Sequence, residues 1–357
     1  MSGENRAERV EPAVAHVDCD VHPGMDREEV ASYLPKNYRE QQGYFVPQGM
    51  WSNPETGFLD EPVAVDAQAS DATLEEIESD VLDGAEWAVL NPDSALLIST
   101  SPQVHYAPVL ARAYNDWLVE NWLDETENLV GSMVIAPQHP SKAAEEIERI
   151  GDHPKVKQVI MGSASGLPYG KPTYWPIYEA AEKQGLPVAI HPGPAGHGLT
   201  GSPTGAGYPQ TFFEKHSAEP DHLMGQLASL LGDGVFVEYP DLDFVFLEAG
   251  FTWLPSFTWR ANKDWKSLRA EVPYLEDPPS SYIERNCWFS THPLPSLVEQ
   301  THLEQLIEML PAEDVLMYGS GYPYTAEGTQ KDLTTLEESV SQRILYENAT
   351  ELYGLSD

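Results

Sequence analysis

The stretch Ala13-Val14-Ala15-His16-Val17-Asp18-Cys19-Asp20-Val21-His22-Pro23 decides how the rest of the chain is read. Successive side chains of a strand point to opposite faces. His16, Asp18, Asp20 and His22 therefore share one face, and Ala15, Val17, Cys19 and Val21 share the other. A half-buried strand on a solvated sheet also alternates, but its polar face is rarely built from His and Asp alone. Two readings stay open on this stretch. In one, the strand lines the inside of a barrel and presents Asp20 and His22 at its C-terminal mouth as metal ligands. In the other, the four residues are a satisfied structural cluster. His16 lies roughly 20 Å down an extended strand from His22, which places it at the barrel bottom in a structural role.

Working outward, apolar strand-like runs begin at Val14, Trp87, Leu129, Val156, Pro187, Phe244, Cys287 and Val315, with helical patterns between them. Thr73 and Glu76 stand in capping-box spacing at the head of a helix running to Leu82. Residues 104–123 form one long amphipathic pattern carrying Tyr106, Leu110, Tyr114, Trp117 and Leu118. Eight strands alternating with helices predict an α/β protein, a (β/α)8 TIM barrel with long loops at the C-terminal face. A length of 357 residues suits one such domain over 13–357, preceded by a frayed, charged terminus over 1–12. Residues 41–71 are rich in Gly, Pro, Asn, Gln and aromatics and too long for an idle connection. They read as a lid, a pocket wall or an oligomer contact.

In such a barrel the last residues of each strand floor one pocket. The first strand offers Asp20 and His22, and the fifth ends in Ala189-Ile190-His191-Pro192-Gly193. The sixth ends in Leu247-Glu248-Ala249-Gly250, and the seventh in Ser290-Thr291-His292-Pro293. Imidazoles and carboxylates converging in this way suit zinc or another divalent transition metal, with manganese and iron as alternatives. A buried His or Asp without a charge partner or a metal is costly. His191 alone reads as a hydrogen-bonded pocket histidine; taken with His22 it favours a metal.

Lys and Arg number 20 against 57 Asp and Glu, a net charge of -37. Such a surface repels phosphates and excludes nucleic acid as a natural partner. The acidic residues are spread along the chain, which points to an acidic folded surface of the halophilic, high-salt type, with an acidic mesophilic enzyme as the plainer option. Cys19 and Cys287 make no disulfide framework and read as buried thiols. No leader-like segment or long apolar span is present, so a soluble, cytoplasmic protein without membrane contact is expected. Trp253, Trp259 and Trp265 read as core and dimer packing, and a homodimer or larger homo-oligomer is expected.

The chain resembles the amidohydrolase-2 family, which includes aminocarboxymuconate-semialdehyde decarboxylase and related metal-dependent hydrolases. The carriers are Asp18-Cys19-Asp20-Val21-His22, the run Leu186-Pro187-Val188-Ala189-Ile190-His191-Pro192-Gly193, and the segment from Tyr239 through Leu247-Glu248-Ala249-Gly250 to Pro255. Ser320-Gly321-Tyr322-Pro323-Tyr324 and the closing Asn348-Ala349-Thr350-Glu351-Leu352-Tyr353-Gly354-Leu355 complete them. The resemblance implies Asp20, His22 and His191 as ligands of one divalent metal, with Asp20 where many relatives carry His. It places Glu248 where decarboxylase relatives carry a catalytic His, which makes Glu248 the candidate base. The family's strand-eight signature is Ser-Asp-Tyr-Pro-His, whose Asp binds metal. This chain has Gly321 there and Tyr324 in place of the final His.

Glycine can neither ligate a metal nor move a proton, and three consequences follow. The three remaining ligands suffice, or His292 leans in as a substitute, or metal is held weakly or not at all. His216, Tyr322 and Tyr324 are candidate substrate contacts. The expected activity is metal-dependent hydrolysis of a small ester, lactone or amide. The alternative in the same family is non-oxidative decarboxylation, and the alternative of another class is a lapsed barrel that binds a small ligand or partner.

Overall fold

The computed structural model describes residues 15–39, 72–196, 198–294, 299–310, 315–324 and 332–355. The terminus 1–12 and the expected lid over 41–71 lie outside the described residues. Eight parallel strands follow one another in chain order around a barrel: β1 (Val17–Val21), β2 (Trp87–Leu90), β3 (Leu129–Val134), β4 (Val156–Gly162), β5 (Val188–His191), β6 (Phe244–Phe246), β7 (Cys287–Ser290) and β8 (Leu316–Met317). The chain is a (β/α)8 TIM barrel.

Each strand is covered on its outer face by helices, so both faces are buried and the apolar runs are nearly continuous. In β1, Val17, Cys19 and Val21 enter the core, while His16, Asp18, Asp20 and His22 are also buried. The polar face of β1 thus lines the barrel interior, and the solvated-sheet reading falls. His16 packs edge-on against Tyr318, with ring centroids 5.4 Å apart. Both cysteines are buried free thiols.

The seam between β8 and β1 closes the barrel through three backbone hydrogen bonds. Cys19 N donates to Tyr318 O at 3.0 Å, Gly321 N to Asp20 O at 2.9 Å, and His22 N to Tyr322 O at 2.8 Å. Asp18 adds a side-chain clasp, its Oδ1 accepting from Ser320 N at 2.9 Å and from Asp20 N at 3.1 Å. Burial pushes the Asp18 carboxyl up to about 6, against the hydrogen bonds from Ser320 and Asp20 that favour its charge.

Local sequence sets the helix ends. Thr73 and Glu76 form the expected reciprocal capping box at the head of the helix Leu74–Asp80. The helix Trp175–Gln184 ends at Gly185, whose φ of 65° is a left-handed conformation open to glycine at little cost. Its stop aims the chain straight into β5. The long pattern over 104–123 is realised as an α-helix, Ala107–Leu118, that widens into a π-type turn, Val119–Leu123. Sequence periodicity does not separate the two, because the apolar positions stay on one side. Residues 212–231 divide into Phe212–Ser217 and Pro220–Gly232, because Pro220 opens a new helix.

Candidate metal centre at the barrel mouth

Strands β1 and β5 face each other across the barrel. Their ends bring Asp20, His22 and His191 together, all buried, with ligating atoms within 4.8 Å of one another. Asp20 Oδ1 lies 3.8 Å from Nε2 of both His22 and His191. The two imidazoles meet edge-on, with centroids 5.2 Å apart.

Each ring is oriented from behind by a carbonyl. His22 Nδ1 lies 3.0 Å from Asn91 O, and His191 Nδ1 lies 2.7 Å from Pro192 O. A carbonyl only accepts, so Nδ1 carries the hydrogen in each neutral ring and Nε2 presents its lone pair. Asp20 Oδ2 and His22 Nε2 are buried without a hydrogen-bond partner among the described residues, and His191 Nε2 faces the Glu248 carboxylate 3.1 Å away. Buried ligating atoms gathered this closely, two of them unpartnered, are costly unless a cation satisfies them. The residues present fit a divalent metal ion.

Beneath the donors runs a polar ladder that sequence reasoning missed. Asn91, at the end of β2, donates through Nδ2 to Asp20 Oδ1 and to Cys19 O, both at 2.9 Å. Asn91 Oδ1 accepts from Ser132 Oγ at 2.6 Å and from Gln158 Nε2 at 2.9 Å. Gln158 Nε2 also donates to Ser132 Oγ, and Tyr353 OH donates to Gln158 Oε1 at 3.0 Å. Asn91 therefore fixes the Asp20 carboxylate with its side chain and the His22 ring with its carbonyl.

Glu248 follows β6 at the rim. It is the one non-glycine residue with a positive φ (49°) among the described residues. Such a conformation is sparsely populated by side-chain-bearing residues and persists where surrounding structure imposes it. Its carboxylate spans two rings, with Oε2 3.1 Å from His191 Nε2 and Oε1 3.9 Å from His292 Nε2. Burial favours neutral forms of both His191 and Glu248, but their mutual attraction prevails. The His191 imidazole is pushed up to about 10, aided by Asp20. The imidazolium in turn holds the Glu248 carboxyl well below the usual carboxylate range.

That ion pair gives cation binding a pH dependence. Without metal, His191 holds a proton at neutral pH; a ligated His191 cannot. Binding must therefore release about one proton per cation, and the apparent affinity should rise about tenfold per pH unit below the His191 value. Calorimetric titration with Mn2+ in buffers of differing ionisation enthalpy reads that proton directly. An affinity independent of pH between 6 and 8 would sink the ion-pair description.

The other candidates are placed as follows. Tyr324 stands at the site, its ring 5.4 Å from that of His22 and its hydroxyl 3.4 Å from Asp93 Oδ2. Tyr322 points its hydroxyl at Asp80 Oδ2, 3.0 Å away, and ties the strand-eight loop to the helix Leu74–Asp80. His216 sits on the exposed helix Phe212–Ser217 and is not part of the donor cluster. His292, after β7, is largely buried beside Glu248, and burial lowers its basicity. Gly321 adopts φ 70° at the end of the seam. Trp253 is buried, whereas Trp259 is largely exposed. No described helix is long and apolar enough to cross a membrane.

A family model for amidohydrolases matches residues 98–355. The chain belongs to the amidohydrolase-2 family. Among solved structures it is similar to 5-carboxyvanillate decarboxylase from Sphingomonas paucimobilis, at 20% identity and a TM-score of 0.70, covering 96% of this chain and 99% of that one. The 5-carboxyvanillate decarboxylase from Novosphingobium aromaticivorans, complexed with manganese and 4-hydroxy-3-methoxy-5-nitrobenzoic acid, is 19% identical with a TM-score of 0.70, each chain covered to 97%. The 2,6-dihydroxybenzoate decarboxylase from Rhizobium is 17% identical with a TM-score of 0.66, covering 95% of this chain and 98% of that one. No curated protein matches the sequence. Family and neighbours are enzymes, and this chain is read as one.

Proposed function

We propose that this chain is a metal-dependent, non-oxidative decarboxylase of an aromatic acid that carries a hydroxyl beside the carboxylate. The observation that carries the reading is the convergence of Asp20, His22 and His191, with orphaned donor atoms, beneath the rim carboxylate of Glu248. Its support for decarboxylation over the expected hydrolysis comes from the neighbours, whose named substrates are hydroxybenzoates. Manganese is the favoured ion on the same ground, with zinc and iron as alternatives compatible with an oxygen and two nitrogen donors.

A bound divalent cation supplies Lewis-acid stabilisation of negative charge on substrate oxygens. The protein's own residues do the rest. Asn91 O and Pro192 O keep both Nε2 lone pairs facing inward. Asn91 Nδ2 holds Asp20 in place from below. Decarboxylation breaks the bond from ring carbon to carboxyl carbon, releases CO2 and leaves a proton on the ring carbon. Once His191 is a ligand and has lost its proton, burial favours the protonated Glu248 carboxyl, which is our candidate to give that proton to the ring carbon and be reprotonated from solvent. Tyr324, over His22, offers an aromatic face to a planar substrate.

The test is a substrate panel with Mn2+-loaded protein: ortho-hydroxybenzoates against esters, lactones and amides. Release of CO2 with the matching phenol is expected, with one deuterium on the product ring in D2O. Hydrolysis of an ester, lactone or amide without CO2 release would overturn the proposal and restore the hydrolase reading.

A further inference from the structure

Residue 321 has no side chain, and the structure shows what stands in its place. A Cβ built on Gly321 would fall 2.5 Å from His292 Nε2, 2.7 Å from its Cδ2 and 2.9 Å from its Cε1. These separations are far inside van der Waals contact, so no side chain coexists at 321 with the His292 ring where it is. The neighbouring backbones are fixed, so relief of the clash falls on the ring. Gly321 N donates to Asp20 O, and Asp18 Oδ1 clasps Ser320 N, so the strand-eight loop is fixed to β1. On the other side, His292 N donates to Ser290 Oγ, and His292 O accepts from Gly250 N.

The ring so seated borders the donor cluster, just outside the three residues whose ligating atoms lie within 4.8 Å of one another. Its Nε2 is 3.9 Å from Glu248 Oε1, whose partner oxygen touches His191. Its Nδ1 is buried without a hydrogen-bond partner among the described residues. Asp20, the residue whose carbonyl holds Gly321, carries one of the orphaned oxygens. We propose that Gly321 and His292 form one unit, in which the glycine opens the strand-eight side of the metal centre and His292 fills it as an additional nitrogen donor beside Asp20, His22 and His191. The idea rests on the metal-centre reading above and deepens it. On this view the missing strand-eight side chain is one half of an exchange between two adjacent strand ends. An acidic side chain at 321 and the imidazole at 292 compete for one space, and only a shift of the ring lets both be present.

A double-mutant cycle tests the pair, because two residues acting through one space are not additive. Mn2+ affinity is measured by calorimetric titration for the natural protein, His292→Ser, Gly321→Asp and the combined variant. Circular dichroism checks that each is folded. Pulsed electron paramagnetic resonance counts the imidazole nitrogens coupled to Mn2+. His292→Ser should bind at least tenfold more weakly and lose one coupled nitrogen, the scale of losing a group that holds a metal in place. Gly321→Asp alone should also weaken binding, since its Cβ collides with the ring and φ 70° strains a residue that carries a side chain. The combined variant should recover affinity to within severalfold of the natural protein, with one nitrogen fewer.

Unchanged affinity and nitrogen count in His292→Ser would overturn the proposal while leaving the metal centre intact. Tighter binding by Gly321→Asp alone would overturn it as well, by showing that both groups fit. Failure of the natural protein to bind Mn2+, Zn2+ or Fe2+ at all would instead overturn the metal centre itself.

Discussion

Asn91→Leu is expected to lower the unfolding free energy by about 3–6 kcal/mol, because each stranded buried polar group costs roughly 1–3 kcal/mol. Leucine fills a similar volume but strands Asp20 Oδ1, Cys19 O and part of the Ser132–Gln158 pair, all of which Asn91 serves. A single domain holds only about 5–15 kcal/mol in total, so the variant should lose a large share of its stability. Urea unfolding of metal-free protein measures the change. A midpoint within about 0.5 kcal/mol of the natural protein, the range of ordinary surface substitutions, would show the ladder to be dispensable. Cation affinity should fall with stability, since Asp20 loses its support and His22 loses a carbonyl held in register.

His191→Ala should purify without metal and without turnover. The ring supplies one of three converging donor atoms and is also the partner of Glu248 at 3.1 Å. Its removal costs more than the about 10–100-fold typical of losing an outer hydrogen-bond partner of a metal ligand. Elemental analysis by plasma mass spectrometry reads the metal directly. The variant leaves an imidazole-sized void, so free imidazole should restore part of the Mn2+ binding. A His191→Ala protein that retains one transition metal per chain would remove His191 from the centre. The substitution also frees Glu248 from its imidazolium, and its carboxyl should rise back toward, or above, the ordinary range, since burial alone raises it.

The sequence makes some of this legible and hides the rest for physical reasons. Alternation of His and Asp through β1 is visible because a strand's period of two sorts chemistry by face. His191 and Glu248 are visible because each closes an apolar run, where a polar residue has no packing reason to be. Asn91, Ser132 and Gln158 carry no such mark. An Asn after Leu90 looks like any turn residue, while a lone Ser in β3 and a lone Gln in β4 look like tolerated exceptions. Only the closed barrel shows that three strands place them at one level, with Tyr353 arriving from the last helix to complete the ladder. The identities of Gly321 and His292 are equally plain in the sequence, yet their competition for one space is a statement about a distance across two strand ends. The π-type turn after Leu118 was hidden for the opposite reason, since the pattern there is too regular to betray the widening.

The clasp of Asp18 on Ser320 joins residues 302 positions apart in the chain. The seam it secures is made from the backbone of Asp20 and His22 themselves. Closing that seam fixes the backbone from which two of the three candidate ligands project. Contacts of such long sequence separation form late, after the entropy of closing a very large loop has been overcome. An ion held by Asp20, His22 and His191 would tie β1 to β5 across the closed barrel. Loaded protein should then gain most protection from hydrogen exchange at β1 and β5, the strands that carry the ligands.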